Sequence, residues 1–188
     1  KLEIDDHGYK IGPLINSAGR LENANQIVEM LTTKSKKDIL QIILKIYNLN
    51  NKRKLIEKRI LDKFDFNNLY YQKGVLIIYI PLIHEGIIGI IASRIKEYHN
   101  KPCIVLTNSG KLLKGSARST SDFNIGEYIS KALHKKIIIK GGGHNLAAGL
   151  MLSKKNLNNL KSFINKYYDK NIHSNKNFYV SKLSLNSI

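Results

Sequence analysis

Short apolar runs that alternate with helical patterns are the feature that most restricts the fold of this chain. The first run covers residues 75–80 and ends at Pro81, and the second is Pro102-Cys-Ile-Val-Leu106. Continuous runs of this length are typical of strands buried on both faces of a sheet. The pattern also predicts strands at 111–116, 136–139 and 148–152, and helices at 87–97, 125–133 and 157–168. This order predicts an α/β domain whose sheet is covered by helices.

The part of the chain before residue 70 has a different pattern. Residues 1–23 contain three glycines and a proline and are predicted as a loop, followed by a short helix at 25–31. A helix of about thirty residues is then predicted from the helical spacing of its apolar positions. Ser35 caps it, with Asp38 three residues later. Helices of this length usually bridge two domains or lie across one.

Composition limits the possible functions. The apolar runs are too short to cross a membrane, no secretory leader is recognisable, and the single Cys103 is predicted to be a buried thiol in a reducing compartment. No Cys/His spacing indicates a zinc site. The length fits one domain, or one plus part of another. Since the sequence starts at Lys1 without a preceding element, we expect a piece of a longer protein.

The formal charge of +17 indicates a nucleic-acid partner, but composition bias accounts for part of this charge. The chain has 26 Lys against 5 Arg, with 28 Ile and 20 Asn, the composition that an AT-rich genome produces. Much of the lysine is therefore predicted to be solvated surface. The arginines are more informative, because arginine retained against this bias indicates bidentate or buried ion pairing.

Two glycine-containing segments predict a phosphate site. Lys114-Gly-Ser-Ala-Arg-Ser119 places a glycine near Arg118, and Gly141-Gly-Gly-His-Asn-Leu-Ala-Ala-Gly149 places three before His144. Glycine lets the backbone approach a ligand closely, and arginine can bind two phosphate oxygens at once. Together the segments predict a groove for a phosphate-bearing polymer.

These segments resemble the RecJ single-strand exonucleases of the DHH/DHHA1 phosphoesterase superfamily. The resemblance extends to His84-Glu-Gly-Ile-Ile-Gly-Ile-Ile-Ala-Ser-Arg94, to Gly12-Pro-Leu-Ile-Asn-Ser-Ala-Gly-Arg-Leu21 and to Leu49-Asn-Asn-Lys-Arg53 with Glu57. It implies a DHHA1-type fold with a central mixed sheet after a long connecting helix. The implied organisation is the end of a DHH catalytic domain (1–33), the connecting helix (34–68), a DHHA1 substrate-binding domain (69–172) and the start of an OB-fold or C-terminal extension (173–188), with a β-like element at 178–185.

The same resemblance implies the function. It implies the substrate-binding part of a cytoplasmic 5′→3′ single-stranded-DNA exonuclease of DNA repair and recombination. Mn²⁺ or Mg²⁺ would be bound by a DHH domain absent from this chain, so no metal ligand or catalytic residue is assigned here and the chain alone is expected to be inactive. Asp5-Asp-His7 is not the catalytic motif, because it lacks the second histidine. Single-stranded DNA, and through it a single-strand-binding protein, are the implied partners, with no membrane.

The site residues follow from the matched motifs. Phosphate binding is assigned to Ser116, Arg118, Ser119, Gly141, Gly142, Gly143, His144 and His84, and a domain-interface or substrate contact to Asn16, Arg20 and Arg94. His84 fits equally well as a helix cap, and a structural ion pair is favoured for Arg94. The chain departs from the family pattern at Leu14, where arginine is usual, and at Ala117, where glycine is usual.

Two alternative functions stay open. One is a nano-RNase or nucleotide phosphatase of the DHH family, and the other is a non-catalytic nucleic-acid-binding remnant. The segment 84–94 and the OB-like start argue against the first, and the lack of a metal motif favours the second for this chain as it stands.

Overall fold

The computed structural model describes residues 3–63 and 73–172. Its first part is helical: α1 (Ile4–Asp6) continues through a π-helical turn (His7–Ile11) into α2 (Gly12–Leu21). The prediction of a loop over residues 1–23 is therefore wrong. Pro13 lies in the first turn of α2, directly after the π-helical turn.

Two further helices complete this part, α3 (Asn25–Thr32) and α4 (Lys36–Leu61). The predicted cap is confirmed, because Ser35 Oγ accepts a hydrogen bond of 3.3 Å from the Asp38 amide. The long helix is confirmed to Leu61, and the remainder of the predicted connecting segment falls partly outside the described residues.

The second part contains a five-stranded sheet. Its strands are β1 (Leu76–Tyr79), β2 (Cys103–Ser109), β3 (Leu112–Arg118), β4 (Lys140–His144) and β5 (Ala147–Ser153). They lie in the order β1-β2-β3-β5-β4, with β1 and β2 parallel and the other neighbours antiparallel. The helices are α5 (Ile88–His99), α6 (Ile125–His134) and α7 (Leu157–Ile172), with a 3₁₀ turn (Lys154–Asn156) before α7. The predicted α/β fold with a mixed sheet is confirmed.

One predicted strand is wrong, and the correction changes the site. Residues 136–139 form turns after α6, beginning with Lys136 at φ 56°, and Ile138 is buried in the core. The strand is instead the glycine run itself, Lys140–His144. Its glycines let β4 lie close to its neighbours, which periodicity of apolar residues does not reveal. The β-like element predicted at 178–185 lies outside the described residues.

The two faces of the sheet are covered unequally. On the covered face, side chains such as Ile104, Leu113 and Leu150 pack with α6 and α7 in one core cluster. On the other face, α5 packs over Leu76, Cys103 and Val105 of β1 and β2. Cys103 is buried as predicted, and burial raises the pKa of its thiol. The part of that face formed by β3, β5 and β4 is left largely exposed, and we call it the open face.

No helix among residues 3–63 and 73–172 is long and apolar enough to cross a membrane.

Candidate nucleic-acid phosphate site

Strand register arranges the open face in three rows. Residues opposite one another on neighbouring strands point to the same side of a sheet, and so do residues two apart on one strand. The near row is Arg118, Ala147 and His144, the middle row is Ser116, Gly149 and Gly142, and the far row is Lys114, Met151 and Lys140. The predicted pair of Arg118 and His144 is thus brought into one row, with only Ala147 between them.

Arg118 is held in place by its own strand and by α5. Its Nη1 donates to Ser116 Oγ at 3.1 Å and to the Ala117 carbonyl at 2.8 Å. A Cβ atom at Gly89, in the first turn of α5, would lie 3.1 Å from Arg118 Nη2 and 3.2 Å from Ser116 Oγ. Glycine at this position therefore lets the guanidinium lie directly against the N-terminal end of α5, where backbone N–H groups favour an anion.

A second guanidinium comes from α2. Arg20 Nη1 donates to the Gly86 carbonyl at 3.1 Å, and a Cβ atom at Gly86 would overlap the Arg20 carbonyl. Burial lowers the pKa of Arg118, and the positive charge of Arg20 lowers it further. Within the described residues neither guanidinium forms a salt bridge with a carboxylate. An anion bound at Arg118 would offset the unfavourable effect of the Arg20 charge on it.

Arg94 shows the opposite arrangement. Its Nε donates to Glu57 Oε1 at 2.9 Å and its Nη1 to Glu97 at 3.4 Å, while Glu57 also binds Arg53 at 3.0 Å. Hydrogen bonding to Glu57 is the main reason that the pKa of Arg94 is raised. Arg94 thus joins α5 to α4 through Glu57. This is a structural ion pair, the role that the sequence analysis favours for Arg94.

His144 ends β4 at a two-residue turn. The turn is tied to the segment after Arg118, because the Ser119 amide donates to the Leu146 carbonyl at 2.9 Å and the Ile125 amide to the Asn145 carbonyl at 3.2 Å. The imidazole is exposed, and its Nδ1 faces the Leu146 amide at 3.4 Å. The side chain is therefore positioned beside the site while its Nε2 edge is open to a ligand.

The glycines divide into two groups. A Cβ atom at Gly142 or Gly149, in the middle row, would meet no heavy atom within 4 Å. A Cβ atom at Gly141 would lie 2.6 Å from Ile138 Cδ1 and 2.9 Å from Ile129 Cγ2, and one at Gly143 would overlap the backbone of Ala147 and Ala148. Gly142 and Gly149 thus leave the open face bare, whereas Gly141 and Gly143 let β4 pack.

Three other predicted residues lie elsewhere. Ser119 is buried, and its Oγ donates to the Phe123 carbonyl at 2.6 Å, so that hydroxyl is used within the fold. His84 Nδ1 accepts from the Gly86 amide at 3.2 Å and stabilises its own turn. Asn16 is exposed one helical turn before Arg20 on the same side of α2.

The sequence predicted neither Gly89 beside the near row nor Lys140 and Met151 in the far row of the open face. Lys140 directly precedes the glycine run, but the abundance of lysine concealed it, and the approach of Gly89 to Arg118 depends on long-range packing. Ala117, where glycine is usual, is a buried β3 residue outside the left-handed region, so alanine fits there.

Within the described residues, no three His, Cys, Asp or Glu side chains lie close enough together to hold a metal ion. The groups on the open face are cationic or neutral, so they do not fit a divalent cation and suit an anion instead.

Comparison with known proteins shows the family of this chain. Residues 72–170, more than half of the chain, match the DHHA1 domain family, and the chain belongs to that family. It is 33% identical to the single-stranded-DNA-specific exonuclease RecJ of Haemophilus influenzae over 85% of this chain, and 33% identical to that of Escherichia coli over 81%. The chain spans 29% and 28% of the length of these two relatives.

A solved structure shows the same fold. The structure of Thermus thermophilus RecJ in complex with Mg²⁺ superimposes with a TM-score of 0.76 at 24% identity, over 88% of this chain and 26% of that one. The predicted resemblance to RecJ proteins is confirmed.

Proposed function

We propose that this chain is the substrate-binding part of a RecJ-like 5′→3′ single-stranded-DNA exonuclease that acts in DNA repair and recombination in the cytoplasm. The observation that carries the proposal is the pair of guanidiniums at the N-terminal end of α5, Arg20 bound to the Gly86 carbonyl and Arg118 against Gly89, neither of which forms a salt bridge with a carboxylate among the described residues. Arg118 and His144 of the near row bind a phosphate, together with Ser116 of the middle row, whose Oγ lies 3.1 Å from Arg118 Nη1. The similarity to RecJ proteins supports DNA as the polymer.

The contribution of these residues is binding and charge stabilisation. Fixed cationic groups in a partly buried site stabilise negative charge on a phosphate without having to reorganise. Mn²⁺ or Mg²⁺, held by a DHH domain outside this sequence, supplies the activation of water. Arg118 and His144 orient the DNA so that a phosphodiester is presented to that centre.

The width of the open face favours a single strand. Three strands span about 10 Å from β3 to β4, at roughly 4.8 Å per spacing. α5 limits the face on the β3 side, and β4 is the edge of the sheet. A surface this narrow suits one extended strand of DNA. A single-strand-binding protein would act by delivering that DNA strand.

The test is binding of a 5′-phosphorylated single-stranded oligonucleotide, measured by fluorescence anisotropy. Arg118→Lys keeps the charge but loses the planar fork, and should weaken binding by on the order of 1–3 kcal/mol. Lys161→Ala is the control, since Lys161 lies on α7 at the covered side of the sheet. It removes a charge but should cost little and mainly reduce the salt dependence.

Combining Arg118→Lys with His144→Ala should reduce the free energy of binding by less than the sum of the two single reductions, because both side chains contact one phosphate. Equal, small losses for Arg118→Lys and Lys161→Ala would mean that binding depends on diffuse charge, and would overturn the proposal. With Mn²⁺ or Mg²⁺ added, the chain alone is expected to release no mononucleotides from single-stranded DNA.

A further inference from the structure

The far row of the open face is a second cationic region that the phosphate site at the near row does not use. Lys114 and Lys140 lie at its two ends with Met151 between them, and they line a cavity of about 290 Å³ together with Gly149. Lys140 is exposed, and its ammonium group forms no hydrogen bond or ion pair within the described residues. Lys114 Nζ is bound to Glu85 Oε2 at 2.6 Å.

The distance between the two rows is fixed by the strand. Arg118 and Lys114 are four residues apart on β3, which places the rows about 13 Å apart at roughly 3.3 Å per residue. This exceeds the separation of adjacent phosphates along a single strand. The Arg118 guanidinium reaches back to Ser116, but Lys140 lies two strands from β3, which adds about 10 Å across the sheet. A ligand that reaches both Arg118 and Lys140 must therefore contain more than one nucleotide.

The middle row allows such a ligand to pass. Gly142 and Gly149 carry no side chain, and a Cβ atom at either position would meet nothing within 4 Å. Of the middle row only Ser116 has a side chain, and its Oγ is already bound by Arg118. The backbone floor between the rows is thus open to a sugar or a base.

We propose that the far row binds a second phosphate of the same strand, with Lys140 as its principal cation, and that the strand runs along β3 and β5 from the near row to the far row. This inference rests on the proposed function, since the first phosphate is the one at Arg118. The site then has a minimum ligand length: a mononucleotide occupies the near row alone, and a short oligonucleotide occupies both. Met151 and the two glycines contact the nucleotide between the phosphates.

The test compares two ligands, thymidine 5′-monophosphate and a 5′-phosphorylated thymidine tetranucleotide, titrated into the protein and followed by NMR chemical shifts. Lys140→Ala should raise the Kd of the tetranucleotide roughly threefold to tenfold. The same substitution should change the Kd of the mononucleotide by no more than about twofold. Lys161→Ala, which removes the same charge on the opposite side of the sheet, should leave both ligands within about twofold.

Arg118→Lys separates the inference from the function on which it rests. This substitution should weaken the binding of both ligands, because both contact the near row. If Arg118→Lys affects neither ligand, the proposed function fails. If it weakens both while Lys140→Ala affects them equally, or not at all, the function stands and the far row is not a phosphate site.

Discussion

On the covered face of the sheet Gly141 and Gly143 are packed against their neighbours, whereas on the open face Gly142 and Gly149 have empty space above them. Three of these glycines are consecutive, so one strand serves two purposes by the alternation of its side-chain positions. On one side glycine allows close packing, and on the other it leaves a floor for a ligand. The contrast teaches that a glycine motif does not need one shared function for all its members.

The largest expected effect comes from breaking the packed side. A methyl group at Gly143 would overlap backbone atoms of Ala147 and Ala148, which cannot move aside as a side chain can. Gly143→Ala should therefore lower the free energy of unfolding by about 1–3 kcal/mol, the usual cost of overpacking. Denaturant titration followed by circular dichroism measures it.

Gly142→Ala is the matched control, one residue away on the same strand. Its methyl group meets nothing, so the free energy of unfolding should stay the same or rise by about 0.4–1 kcal/mol, because alanine restricts the unfolded chain. Equal losses of stability for the two variants would show that the strand does not separate packing from an open floor.

The difference between the two faces also explains what could be read from the sequence. The buried strands at 75–80 and 102–106 were recognised because continuous apolar runs report burial directly, and the cap at Ser35 because its bond to Asp38 is local. The strand at Lys140–His144 was missed because glycine carries no apolar signal. Its contact with the core comes from the close approach of Gly141 to Ile129 and Ile138, which only the fold reveals.

The site was predicted in part for the same reason. Arg118 and His144 were chosen because arginine among lysines and histidine after glycines are unusual residue choices. Arg118 and His144 share a row because β5 lies between β3 and β4. This order of strands is a property of the topology. Among the described residues Arg118 binds no carboxylate, whereas Arg94 binds two. This contrast depends on where Glu57 and Glu97 lie.

A smaller effect is expected from filling the open floor. Gly149→Ala adds one methyl group in the middle row, between the near and far rows, where it touches no protein atom. Stability should not fall, but the DNA would be lifted from the backbone, and single-stranded oligonucleotide binding should weaken by about 1 kcal/mol, comparable to mild overpacking. Anisotropy titrations, with unfolding measured in parallel, separate the two quantities. Unchanged binding would mean that the strand does not lie over the glycines.

The smallest effect tests the charge balance of the open face. Glu85 binds Lys114 and Ser109, and these two hydrogen bonds lower the pKa of its carboxyl group. Glu85→Gln would free Lys114 for a phosphate and should tighten tetranucleotide binding by about 0.5 kcal/mol, the scale of an exposed ion pair. Glu127→Gln is the matched control, because Glu127 forms a similar pair with Lys131 on α6, at the covered side.

Acid should act on Glu85 in the same direction as the substitution. Because folding lowers this pKa, the ion pair contributes stability above the ordinary pKa of glutamate and loses it as the pH falls through the lowered value. At neutral pH the carboxylate is charged, so titrations there compare Glu85→Gln with Glu127→Gln at equal net charge. A gain confined to Glu85→Gln would show that Lys114 is held back by its carboxylate. An equal gain for both variants would indicate only the change in overall charge, and Lys114 would then have no part in binding the strand.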